Sequence, residues 1–95
     1  MDAKKAPFEV ELTPELAQGT YANAVFVGHS PSEFILDFAR LVPGTKKARV
    51  HSRVIMAPQN VLLLKNALDD NIKRYEEHFG KIRIFGKTQK EIGFK

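Results

Sequence analysis

Three histidines, a handful of serines and one strand-borne aspartate are the residues whose chemistry could be put to use, and their spacing argues against most of it. His29, His51 and His78 fall on different segments without an HxxxH or similar ligand spacing, and cysteine is absent. A metal site is therefore not expected. Asp37 and His51 are placed on facing strand positions, where a carboxylate can fix an imidazole tautomer as it does in hydrolytic triads. The nucleophile is missing: Ser30 and Ser32 sit in a turn-forming SPS, and Ser52 alternates to the other side of its strand from His51. The six glycines are dispersed, with neither GxGxxG nor GxxxxGK among them, so no phosphate loop is expected. The expectation is a non-enzymatic protein with no small-molecule cofactor.

Charge offers more. The formal net charge is +4. From Lys81 onward five cations (Lys81, Arg83, Lys87, Lys90, Lys95) stand against Glu91, so residues 1–80 are neutral overall. A second basic cluster, Lys46, Lys47, Arg49 and Arg53, lies in and beside one strand. Such a surface can track a phosphate backbone. It is also what exposed strands carry to block edge-to-edge pairing. The leading expectation is a nucleic-acid-associated binding protein using Lys46, Lys47, Arg49 and Arg53 with Lys81, Arg83, Lys87 and Lys90. The alternative is a homodimeric protein-interaction or assembly module with no nucleic-acid binding.

The segment Ala57–Gly80 must be a helix. Pro58 suits its first turn and Gly80 the left-handed position past its end. Val61, Leu64, Leu68, Ile72, Tyr75 and Phe79 recur at three and four residues, one apolar face at a period of 3.6. Asp69 with Lys73 and Asp70 with Arg74 are placed for ion pairs on the other side.

Before the helix, four segments carry strand patterns. Phe8, Val10 and Leu12 alternate with glutamates; TYANAVFVGH at 20–29, the run from Phe34 to Phe38, and KARVHSRVIM at 47–56 follow. Turns centred on Pro31 and Gly44 make an antiparallel meander. They would set Phe26 against Leu36, Ala24 against Phe38, Phe38 against Val50 and Phe34 against Val54. One face is then apolar (Ala22, Ala24, Phe26, Phe34, Leu36, Phe38, Val50, Val54) and receives the helix. The opposite face holds Val25, Val27, Ile35, Asp37, His51 and Ile55, apolar residues mixed with charged ones. These six are the expected dimer interface, with Asp37 across from His51 and meeting Arg49 or Arg53 within or between chains. KIRIFG, from Lys81, reads as a short fifth strand.

The expected fold is α+β: a four- to five-stranded antiparallel sheet with one long C-terminal helix packed on one face. Residues 1–7 are expected to be disordered, 8–85 to form a single domain, and 86–95 to be a flexible basic tail. The N-terminal MDAKKAPFEV has no apolar run for a signal peptide, and no membrane-length apolar stretch occurs. A cytoplasmic location is expected.

Through Thr20–Pro31, SPSEFILDFARLVPG at 30–44, KARVHSRVIMAPQ at 47–59 and NIKRYEEHFG at 71–80, the chain resembles a family of small prokaryotic proteins known only as a domain of unknown function (number 3467). The resemblance covers most of residues 8–84. It implies one compact domain and supplies no catalytic or binding residues.

Overall fold

The computed structural model describes residues 7–85 and 93–95. In chain order the elements are a short helix α1 (Pro14–Ala17), strands β1 (Ala24–His29), β2 (Phe34–Leu41) and β3 (Ala48–Met56), and a long helix α2 (Pro58–Phe79). The strands form one antiparallel sheet in the order β1-β2-β3. Among the described residues the fold is α+β with three such strands, not four or five.

The two missing strands have local causes. Thr13 caps α1, its Oγ1 accepting from the Leu16 amide at 3.3 Å, and Pro14 opens the helix. The Phe8–Leu12 alternation that precedes it forms no strand, and residues 93–95 occupy the outer edge of β1. There the Val25 amide donates to the Gly93 carbonyl (2.9 Å), Lys95 donates to Val25 (3.1 Å), and Val27 donates to Lys95 (3.1 Å). Residues 93–95, expected in the flexible tail, thus run parallel to β1. At the far end, Gly80 takes φ 88° and closes α2. The Ile82 amide then donates to the Glu76 carboxylate at 2.9 Å. This holds Ile82 back against the last turns of the helix, beside Ile72, Tyr75 and Phe79.

Both hairpins depart from the expected register. The Ser30 amide donates to the Glu33 carbonyl, so the first turn is tight over Pro31 and Ser32 and its centre lies half a residue beyond Pro31. Phe26 therefore faces Asp37 and Val27 faces Leu36. A one-residue slip of this kind carries every β1 side chain to the other face. In the second hairpin Phe34 faces Met56, Leu36 faces Val54 and Phe38 faces Ser52, but Ala39 faces Val50. His51 is the extra residue of a β-bulge, and the alternation of β3 reverses there.

One sheet face therefore carries Val25, Val27, Phe34, Leu36, Phe38, Val54 and Met56; the other carries Ala24, Phe26, Ile35, Asp37, Ala39, Arg53 and Ile55. The core is small. Among the described residues, Ala24, Ala39 and Leu36 are the buried hydrophobic ones. Asn23 ties off the sheet beside them: its Oδ1 accepts from the Leu41 amide (2.7 Å) and its Nδ2 donates to the Leu41 carbonyl (3.3 Å).

Helix α2 has the expected limits but not the expected place. None of its residues is buried, and no strand packs along it. The cause is its connection. Only Ala57 separates Met56 from Pro58, and a single residue cannot lift the chain about 10 Å and reverse it over the sheet. Val61 and Leu64 are half-covered, whereas Leu68, Ile72, Tyr75 and Phe79 are exposed. The ion pair on α2 is Lys65 with Asp69, at 3.2 Å, rather than Asp69 with Lys73.

Candidate interaction surfaces

The charged residues of the sheet separate into two arrangements. Asp37 and Arg53 lie directly opposite on β2 and β3. Arg53 Nε donates to Oδ1 of Asp37 at 2.8 Å and Nη2 donates to Oδ2 at 2.9 Å, a two-pronged pair. The hydrogen bond from Arg53 holds the Asp37 carboxyl below its ordinary range, and the same bond raises Arg53. Arg53 is thereby neutralised locally. Asp37 meets Arg53 and not His51, which is displaced by the bulge.

Arg49 lies on the other face from Arg53, again because of the bulge. It faces Arg40. The guanidinium of Arg40 sits 5.5 Å from the centre of the Tyr21 ring. Nearby, the loop 42–47 closes with Thr45 Oγ1 donating to the Val42 carbonyl (3.0 Å) and accepting from the Lys47 amide (3.3 Å). Val42, Thr45, Lys47, Ala48 and Arg49 line an open depression there. Lys46, Lys47 and Arg49 thus stay together while Arg53 leaves the group, and Arg40 and Tyr21 join it. The sequence carried a signal for Arg40, since FILDFARL continues the alternation past Phe38.

Lys81 and Arg83 lie elsewhere, with Tyr75, Phe79 and Phe85 around the end of α2. Lys87 and Lys90 fall outside the described residues. The six residues expected at a dimer interface are not one surface: Val25 and Val27 are on one sheet face, Ile35, Asp37 and Ile55 on the other, and His51 is in the bulge.

The histidines make local contacts. His29 packs against Phe34, ring centres 5.6 Å apart, and His78 Nδ1 lies 3.0 Å from the Arg74 carbonyl within α2. Among the described residues no group of three or more metal-ligating side chains occurs, and no helix is long and apolar enough to cross a membrane.

What the sequence understated is apolar exposure. Leu62, Leu63, Leu68, Ile72, Tyr75 and Phe79 on α2 are between 44% and 75% exposed. The fold and these surfaces define a small α+β protein with an antiparallel meander followed by one long, largely uncovered helix. The chain belongs to the family described as "Protein of unknown function (DUF3467)", whose model matches residues 1–84. No curated protein and no solved structure matches it.

Proposed function

We propose that the protein is a non-enzymatic protein-interaction module that works in the cytoplasm as a homo-oligomer. The uncovered apolar surface carries this reading. Leu62, Leu63, Leu68, Ile72, Tyr75 and Phe79 of α2 are 44–75% exposed, and Val27, Val50, Val54 and Ile55 of the sheet 39–56%. A stable interface of ordinary size takes about 800 Å² from each partner. The exposed apolar residues of α2 lie along one helix and are too many to be scattered surface residues. Light scattering on the purified chain at micromolar concentration should return a multiple of the monomer mass. A monomer across the whole range would end this reading.

One observation favours nucleic-acid association as a second reading. Arg40 and Arg49 face each other on neighbouring strands, an arrangement that like-charge repulsion disfavours. A phosphate backbone would relieve it, with Lys46 and Lys47 alongside. Fluorescence anisotropy with short single- and double-stranded DNA and RNA tests this. Binding should weaken steeply with salt, and R40E/R49E should cut affinity at least tenfold and flatten the salt slope by about two. Absence of binding at low salt would retire it.

A further inference from the structure

We infer that Arg40, Arg49 and Tyr21 take single-stranded nucleic acid, the two guanidiniums on its phosphates and the tyrosine ring stacked on one of its bases. The inference rests on the nucleic-acid reading above and adds the strandedness of the ligand and the residue that selects it.

From residue 38 to residue 68 the chain has no aspartate or glutamate, and Arg40, Lys46, Lys47, Arg49, Arg53 and Lys65 all fall inside that span. The two aspartates that bracket it, Asp37 and Asp69, take up Arg53 and Lys65. Arg40, Lys46, Lys47 and Arg49 are exposed and make no ion pair with a described residue. Four cations are thus left at one end of the sheet, in the loop 42–47 and on the strand ends it joins. Arg40 and Arg49 face each other there, and side chains so placed start roughly 5 Å apart at Cβ, where like charges are destabilising. An anion between them removes that cost.

Tyr21 is fixed in the same place. Asn23 bonds the residues on either side of Arg40: its amide donates to the Ala39 carbonyl at 3.1 Å, and its side chain makes two hydrogen bonds to the Leu41 backbone, at 2.7 and 3.3 Å. This anchors the segment leading into β1 alongside Arg40, whose guanidinium lies over the Tyr21 ring, 5.5 Å from its centre. The ring is nevertheless 67% exposed. An aromatic ring held in water beside a phosphate-binding charge cluster is a stacking platform for a base. On the Arg49 side the surface continues into the open depression of about 530 Å³ over the loop 42–47, which gives adjoining nucleotides room.

Stacking decides the strandedness. Bases inside a duplex are stacked on one another and show only their edges, so Tyr21 would find no face to lie on. In a single strand every base has a face to offer.

Fluorescence anisotropy on the full chain, with labelled single-stranded RNA and DNA and the matching duplexes at one low salt concentration, tests this. Single strands should bind at least about tenfold more tightly than duplexes. Y21A, at an exposed site, should weaken single-strand binding at least about fivefold and leave the salt slope unchanged, since it removes no charge. Y21F keeps the ring and should stay within about twofold of the wild type. The chain has two tyrosines and no tryptophan, so in Y75F the emission comes from Tyr21 alone, and saturation with a single strand should quench it. Single-strand binding that R40E/R49E abolishes but Y21A leaves intact, with no quenching in Y75F, would overturn the stacking role and leave the nucleic-acid reading standing. Duplexes bound as tightly as single strands would do the same. Absence of binding to either form would overturn both.

Discussion

Leu36→Ala should lower the stability of the folded chain by about 2–4 kcal/mol, read as a fall in the urea midpoint at fixed protein concentration. Leu36 is the one large side chain among the three hydrophobic residues buried in the described part of the chain, 8% exposed, on the central strand. Val27 faces it from β1 and Val54 from β3. Truncation loses the transfer free energy of the removed carbons and leaves space that β-strand backbones cannot close. Against a total stability of roughly 5–15 kcal/mol, that is a large share. Concentration must be held constant because association adds to apparent stability. Val50→Ala, at a site 48% exposed, should cost less than about 1 kcal/mol. Equal shifts for the two variants would mean that Leu36 is not the centre of the fold.

The parts of this fold that were legible are those written in single residues. Pro58 and Gly80 bracket α2, and the structure ends it there. The three central strands fall within a few residues of the alternating segments. What was not legible is what depends on a half-residue or on a neighbour. The turn over Pro31 and Ser32 is centred half a residue later than Pro31 alone suggests, which slips the register by one, and β1 turns over. The bulge at His51 leaves no mark in KARVHSRVIM, where Arg49 and Arg53 look like members of one face. Hence the expected basic surface and the expected interface each split in two. Asp37 was expected to meet Arg49 or Arg53, and the register selects Arg53.

The place of α2 was a different kind of omission. Its apolar stripe is plain in the sequence, and an apolar stripe must be covered. That the cover should be the chain's own sheet was an added assumption. Met56, Ala57 and Pro58 argue against it, since strand and helix are separated by one residue and the second hairpin consumes the chain up to Met56. Reading linker length as a limit on docking recovers the open helix from sequence.

Gly93→Ala should release residues 93–95 from the sheet and expose the edge of β1, the second large effect. Gly93 is buried at φ +90°, a backbone region that costs a side-chain-bearing residue about 1–2 kcal/mol. Sterics add to this. A Cβ there would stand 2.7 Å from Ala24 Cβ and 2.9 Å from Leu41 Cδ1. Leucine can rotate away. Ala24 cannot, because it is fully buried and paired with the fully buried Ala39. The three hydrogen bonds linking Val25 and Val27 to Gly93 and Lys95 are all close to 3 Å, and none survives a shift of the Gly93 backbone away from β1. Amide exchange at Val25 and Val27 should accelerate at least tenfold, while Leu36 and its neighbours on the central strand stay protected. The freed edge would present unpaired amides and carbonyls to other chains, so aggregation should rise with concentration. Gly28→Ala is the matched control, with nothing within 4 Å of its added carbon, and should leave those amides unchanged. Protection of Val25 and Val27 that persists in Gly93→Ala would show that the close approach at Gly93 does not hold the segment, and that the side chain of Phe94 or Lys95 does.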